Sequence, residues 1–323
     1  MYDGQLLILR KGIGAIFMLI KKNKTRKLNQ KVTWSDNISG WLLILPMVFI
    51  LYVMIWRPTI LNIVWSFFRM RGYTPTVFCG LDNYKAVIEN SGFIPMLIVN
   101  IKFVFWSLII GFLPPIFVAI MLNEMVYGKN ILRNIIYLPA VIPGIAGMLI
   151  WYYIFYPDQS GLLNMVFGWF GKKPYGWLNE PSFAIIGLII QATWKGLPGA
   201  MLLYYTSLQS VSVELYEAAI LDGAGIFKRL WYVTRPQIAG VVLLNFIQQI
   251  IGVFQTMEQP LAMTGGGPNG ATTTLSLQLY RYGFESGNQG IGQSMALGTI
   301  IFGLLLVFTV FYFVINKKIE SNY

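Results

Sequence analysis

Residues 217–236 read EAAILDGAGIFKRLWYVTRP, a polar-patterned stretch between two long apolar runs in the second half of the chain. Ser212, just upstream, is placed to cap a short helix whose first turn holds Glu214, with Glu217 close behind. Acids at that end complement the helix dipole, so simple helix stabilisation is one reading of Glu217. Ala218 and Ala219 favour helix and let another surface approach closely, and Gly223 with Gly225 offers a sharp change of direction. A second short helix is predicted next, with Phe227, Leu230, Trp231 and Thr234 on one face and Lys228 and Arg229 pointing elsewhere. Pro236 disfavours helix at Arg235 and is expected to restart the chain into the next apolar run. Two short helices at an angle make a knob, a shape that fits a groove on a soluble partner.

The flanking runs place this knob at a membrane. Of 323 residues, 56% are hydrophobic and only 11% are charged, against roughly 25% charged in soluble domains. The apolar blocks are about 20 residues or longer, enough for a helix to cross about 30 Å of hydrocarbon. Six spans are predicted, at about 41–68, 95–122, 131–156, 183–208, 236–263 and 291–315. Ten-residue alternation of the β-barrel kind is absent, because the runs are continuous and too long. The expected fold is an all-α integral membrane protein of six transmembrane helices, residues 39–323, preceded by a basic segment, residues 1–38, with the helix-turn-helix loop between spans four and five.

A net charge of +11 invites a nucleic-acid reading, and the location of the charge argues against one. In a six-span layout one side holds Arg10, Lys11, Lys21, Lys22, Lys24, Arg26, Lys27 and Lys31, with Lys129, Arg133, Lys228, Arg229, Arg235, Lys317 and Lys318. The other side holds Arg69, Arg71, Lys85, Lys172, Lys173 and Arg281. The positive-inside rule then puts both termini and the Glu217 loop in the cytoplasm. Arg10 and Lys11 interrupt the first apolar stretch, and it has no small-residue cleavage site, so a removable signal is not expected. Residues 5–20 with the basic run after them read either as an interfacial helix on anionic lipid or as a loosely ordered basic tail. Cys79 is the single cysteine and histidine is absent, which excludes an intrachain disulfide and any imidazole ligand or base. No metal site is expected.

The pattern from Glu217 to Pro236 resembles the cytoplasmic coupling loop of ATP-binding-cassette importer permeases, whose motif runs EAA, then DGA, then a spacer ending in Ile-x-Leu-Pro. Glu217, Ala218, Ala219, Asp222, Gly223, Ala224 and Pro236 match it, whereas Val233 stands for Ile, Arg235 for Leu and Leu230 for a common Phe. GLDNY at 80–84, GLLN at 161–164 and MTGGGPNGATTT at 263–274 extend the likeness to the carbohydrate branch, the maltose and glycerol-phosphate type. Residues 1 to about 38 lie outside it. The resemblance implies a second homologous permease, two cytoplasmic ATPase subunits docked on the knobs, and an extracytoplasmic solute-binding protein that delivers a sugar or oligosaccharide. ATP and Mg would sit on the partners, because this chain has no G-x-x-x-x-G-K-[ST] run and needs no cofactor of its own.

Within the spans, Lys102, Lys195 and Glu258 stand out, since an ionised group there costs about 2.5 to 3.5 kcal/mol unless it faces protein or water. Gln191, Thr193, Asn245, Gln248, Gln249, Gln255, Thr256 and Gln259 add amides and hydroxyls. They serve either a substrate path or interhelical bonding, worth about 0.6 kcal/mol each. A sugar needs such groups and an aromatic face, and Trp194 lies among them; Trp151, Tyr152, Tyr153 and Tyr156 read as an interfacial belt. Gln249, Val253 and Thr256 share one helical stripe. Aligned back from the GGGP turn, they fall where maltose-type permeases contact substrate, although Val253 is apolar where an amide would be expected; Gly196 and Trp194 match the fourth-span contacts approximately. Gly265, Gly266, Gly267 and Pro268 form either a span-ending turn or a loop at the external mouth where the delivery protein docks. Pro114, Pro115, Pro139 and Pro143 bar straight, fully bonded helices in spans two and three.

The expected role is therefore a non-enzymatic permease subunit that moves a sugar by alternating access. An ion-coupled secondary carrier acting alone would need a midplane ion site, and the intramembrane acids are nearly limited to Glu258. A membrane-embedded transferase on lipid-linked sugars would need clustered carboxylates or histidine.

Overall fold

The computed structural model describes residues 34–320, so the reading of residues 5–20 as an interfacial helix lies outside the described residues. The chain divides into two compact units, Met1–Ile60 and Leu61–Tyr323. Helix α1 (Trp34–Leu51) passes through a π-turn at Tyr52–Trp56 into α2 (Arg57–Trp65). A hairpin of β1 (Phe68–Arg71) and β2 (Thr74–Phe78) follows, antiparallel with Phe68 opposite Phe78. Next come α3 (Asp82–Ile88), α4 (Phe93–Ile110), α5 (Leu113–Glu124), α6 (Lys129–Val141), α7 (Gly144–Ile154) and α8 (Leu162–Trp169). The second half holds α9 (Pro181–Gln209), α10 (Val213–Leu221), α11 (Ile226–Arg229), α12 (Arg235–Phe254), α13 (Leu275–Phe284) and α14 (Gly287–Glu320).

Five helices are long and apolar enough to cross a membrane: Gly40–Trp65, Phe93–Glu124, Pro181–Gln209, Ile226–Phe254 and Gly290–Lys317. The sixth span is the pair α6 and α7, bent by 99°. Pro143 is the cause, because it has no N–H to donate and its ring opposes a continuing helix. The expectation of a run from 131 to 156 is corrected accordingly: the third span is broken, not merely kinked.

A break inside hydrocarbon frees carbonyls that have no water to accept from. Here the fourth span supplies the donor. Lys195, midway along α9, donates from Nζ to Pro139 O at 3.0 Å, to Ala140 O at 3.2 Å and to Ile142 O. The cation thus closes the carbonyl end of α6, where the helix dipole is negative. Three such bonds at about 0.6 kcal/mol each, with about 0.3 to 1 kcal/mol from the dipole, offset most of the insertion cost of a lysine at midspan. Lys195 is therefore part of the frame.

Two further sequence expectations change. The fifth span does not run to Met263: α12 ends at Phe254 and the chain is unwound over Thr256 and Met257 before a π-turn at Pro260–Thr264. Ser276 Oγ donates to Phe254 O at 2.6 Å and Thr274 Oγ1 to Thr256 O at 2.7 Å, which satisfies the carbonyls that the unwinding releases. Nor does Pro236 restart the helix. Ile226–Phe254 is continuous, because the wider π-turn at Leu230–Thr234 accommodates a residue that lacks an N–H.

Three buried clusters pack the unit after residue 60. One joins Val99, Phe103, Leu178, Leu188, Ile189, Val253 and Met263; a second joins Met96, Ile247, Phe254, Leu275 and Leu297; a third joins Ala119, Leu122, Met201, Tyr204 and Ile238.

Lys195→Met keeps the aliphatic stem and removes the donors. It should destabilise the detergent-solubilised chain by about 2 kcal/mol, read as a lower thermal midpoint, with Lys195→Arg losing less. An unchanged midpoint in Lys195→Met would show that the bend holds without the cation.

Candidate functional site

Two features sit on the same pair of helices, α9 and α12. The first is the knob between them. Ser212 caps α10 as the sequence suggests, its Oγ accepting from Glu214 N at 3.2 Å. The helix then closes with Ala224 N donating to Ala219 O at 2.9 Å and Gly223 N to Ile220 O at 3.0 Å, while Gly223 takes φ +75°. This is the paired six-to-one and five-to-two arrangement of a left-handed C-cap. The residues Ala219, Gly223 and Ala224 thereby acquire a local reason. Gly223 must turn left-handed, and the small Ala219 and Ala224 occupy the two positions joined by the cap. Gly225 instead keeps a negative φ of −67°.

Glu217, Ala218 and Asp222 are exposed, and no ion pair involves Glu217 among the described residues. Leu221 and Phe227 are each 87% exposed and Tyr232 75%, a dense apolar surface on a short polar loop. The predicted stripe of Phe227, Leu230, Trp231 and Thr234 splits: Phe227 and Trp231 face outward, and Thr234 is buried. The π-turn is what rotates it. Thr234 Oγ1 meets Tyr216 OH at 2.9 Å, so α10 is tied directly to that turn. Arg235 lies 4.1 Å from the Trp231 ring centroid, and Pro236 follows it as the second residue of α12.

The second feature is a cavity of about 250 Å³ lined by α4, α5, α9 and α12. Gly196, Gln249, Val253 and Thr256 all line it, together with Thr193, Gln248, Gln259, Phe103, Ser107 and Gly111. Its lining contains no charged side chain. Thr193 and Thr256 turn their hydroxyls back to the carbonyls of Ile189 at 2.7 Å and Gly252 at 2.9 Å. The amides of Gln248, Gln249 and Gln259 take no hydrogen-bond partner among the described residues, so three amides remain available to a solute. Val253 belongs at the same time to a buried apolar cluster. Gly111 sits where three spans converge: a Cβ there would lie 2.7 Å from Gln249 Nε2 and 3.2 Å from Thr193 Oγ1.

Trp194 is the candidate that the structure places elsewhere. It meets Trp151 edge-on at 5.9 Å and covers Gly147, on the side of the broken third span, and does not line the cavity. Ser107 and Gly111 were not among the sequence candidates. Their only signal was a serine and a glycine shortly before Pro114. Glu258 is exposed in a neighbouring open cleft with Gln255 and Ser276. Among the described residues no group of three or more His, Cys, Asp or Glu side chains is arranged to hold a metal ion.

The far end of the bundle carries the glycine turn. Gly265 and Gly266 have φ of +57° and +84°. A Cβ on Gly266 would lie 2.6 Å from Thr273 Oγ1. Arg281 donates to Gly265 O at 2.6 Å, Thr273 Oγ1 to Gly266 O at 3.0 Å and Thr272 Oγ1 to Gly267 O at 2.8 Å. The turn from Gly265 through Pro268 is thus fastened at three successive carbonyls. The short GLLN and GLDNY segments are also hubs. Asn164 Nδ2 donates to the carbonyls of Tyr156, Asp158 and Tyr175, and its Oδ1 accepts from Trp177 Nε1 at 2.7 Å. Asn83 Nδ2 donates to Ser66 O and Phe68 O, beside a Tyr84 to Ser66 hydroxyl pair.

Residues 111–321 match the family of the binding-protein-dependent transport system inner membrane component. The trehalose/maltose transport system permease protein MalF of Thermococcus litoralis is 31% identical over 291 residues, covering 90% of this chain and 97% of the relative. The sn-glycerol-3-phosphate transport system permease protein UgpA of Escherichia coli O157:H7 is 32% identical over 249 residues, 76% of this chain and 81% of the relative. A bacterial ABC transporter involved in import of the acidic polysaccharide alginate has a chain of the same fold, with TM-score 0.77 at 22% identity over 88% of this chain and 98% of that one.

Gly223→Ala should weaken the C-cap by about 1 to 2 kcal/mol, the penalty for a Cβ in the left-handed region. The effect is read as faster hydrogen exchange at the Gly223 and Ala224 amides, with exchange in α12 unchanged. Equal exchange in both forms would mean that the cap does not hold the knob.

Proposed function

This chain belongs to the family of binding-protein-dependent transport inner membrane components, and from that premise we propose that it is one of two paired permease subunits of an ATP-driven importer of a neutral saccharide. The observation that carries the reading is that one pair of helices serves both features. Helices α9 and α12 line a charge-free cavity with free amides, and their other ends are joined by an exposed apolar knob. Movement of the knob must therefore move the walls of the cavity.

The knob is the docking element for a cytoplasmic ATPase subunit. Glu217, Ala218, Ala219, Asp222, Gly223, Ala224 and Pro236 form or frame it. An exposed ion pair from Glu217 would contribute about 0.2 to 1 kcal/mol, too little to drive a membrane rearrangement. Apolar shape carries the load, through Leu221 and Phe227 on the rigid cap, and the docked knob moves as a body. ATP binding on the partners draws two knobs together and opens the cavity to the outside; hydrolysis returns it. ATP and Mg stay on those partners, and this chain performs no covalent chemistry. Both termini and the knob lie on the cytoplasmic side, in line with the distribution of Lys and Arg. A solute-binding protein delivers the substrate at the end that bears Gly265–Pro268.

The saccharide reading rests on lining chemistry and on the relatives. Three amides in an uncharged, partly apolar cavity suit hydroxyls and C–H faces, while an acidic solute would lack a cationic partner there. An ion-coupled carrier is disfavoured because Glu258 lies outside the cavity and no second carboxylate joins it.

Gly223→Asp should abolish ATP-driven uptake in the assembled transporter while leaving the subunit inserted, since charge and bulk then sit where the partner groove closes. Normal uptake by that variant would remove the coupling assignment. Gln249→Leu, close in volume but without the amide, should raise the KM for uptake about tenfold, the loss of one well-placed contact, and leave basal ATPase activity alone. An unchanged KM would take Gln249 off the path.

A further inference from the structure

A second cleft, of about 470 Å³, opens at the end of the bundle away from the knob. It is lined by Tyr152, Tyr156, Asn179, Met263 and Thr264, with Gly265, Gly267 and Pro268 of the glycine turn. Building on the transport function proposed above, we propose that this cleft is an outer binding site for a neutral saccharide, separate from the cavity between α9 and α12.

The chemistry of the lining points to that class of ligand. Tyr152 and Tyr156 stand edge to face at 5.5 Å and 75°, which offers a ring face for sugar C–H groups. Their hydroxyls and the Asn179 amide take no hydrogen-bond partner among the described residues, so donors and acceptors surround an aromatic platform. No charged side chain lines the cleft, which disfavours an ionic ligand.

The walls are already fixed. The glycine turn is fastened by Thr272, Thr273 and Arg281. The facing wall, Leu178 and Asn179, follows directly on Trp177, whose Nε1 donates to Asn164 Oδ1 at 2.7 Å. A preformed cleft loses little ordering entropy on binding.

One apolar cluster separates the two cavities. Leu178 and Met263 line the outer cleft, Phe103, Leu188 and Val253 line the inner one, and all five pack together. A saccharide in the outer site is thus held above a closed apolar partition, with the inner amides beyond it. The outer site receives the solute before the partition opens.

The test uses the complete transporter in nanodiscs, with Cys79→Ser as background and A262C as the reporter, since Ala262 is exposed in the cleft. The rate of maleimide labelling is measured with maltose, trehalose or maltotriose, and uptake of the same sugars is measured in proteoliposomes. The expected result is severalfold slower labelling with at least one transported sugar. That protection is lost in Tyr156→Ala and in Asn179→Ala and kept in Gln249→Leu. Tyr156→Ala should also raise the KM for uptake about tenfold with kcat unchanged. Uptake without protection, or protection that survives both cleft variants, overturns the outer site and leaves the transport function standing. If none of the three sugars slows labelling, the outer site is overturned, and absence of uptake counts against transport of these glucosides.

Discussion

A backbone group in hydrocarbon must find its partner within the protein, and the architecture follows from how this chain meets that demand where its helices break. The third span turns through 99°, and the freed carbonyls are taken by Lys195 from the fourth. The fifth span unwinds after Phe254, and Ser276 and Thr274 reach back to the exposed carbonyls. Each repair links a broken element to a neighbouring segment. The breaks therefore tie the spans together, and they leave room between them for a cavity.

The same economy shapes α9. Its face around Thr193 and Gly196 lines the cavity, while Trp194 and Lys195 between them hold the broken third span. Rotation or displacement of α9 must move the cavity wall and the bent span together. At its far end the knob begins within a few residues, and Tyr216 binds the knob to the π-turn that leads into α12. The cavity and the exposed knob thus lie at two ends of one pair of helices.

Much of this was legible in the sequence where local chemistry decides. The blocks of apolar residues give the spans, and Ser212, Ala219 and Gly223 announce a capped helix and a left-handed turn because no other arrangement suits them so well. Gly265, Gly266 and Gly267 mark a turn for the same reason. The stripe Gln249, Val253 and Thr256 came from helical spacing and from the likeness to maltose-type permeases, and all three line the cavity. What escaped was rotation and direction. A span apolar on every side carries little periodicity to say which face looks inward, so Trp194 looked as good a lining residue as Thr193. Pro143 announced a break without its angle, and nothing local to Lys195 named the carbonyls of another helix as its partners. The π-turn at Leu230–Thr234 was hidden as well, since Pro236 normally reads as a helix boundary.

The central claim is that the cavity opens to opposite sides in turn as the knob is moved by its partner. Gly252, exposed at the cavity, reports on this most directly as G252C in a Cys79→Ser background. The measurement is labelling by a membrane-impermeant maleimide from each side of proteoliposomes that hold the complete transporter, with and without ATP and saccharide-loaded binding protein. The account predicts that reactivity passes from the side of the knob to the side of Gly265–Pro268 when ATP and the loaded binding protein are present. Reactivity confined to the same side in both conditions would contradict it.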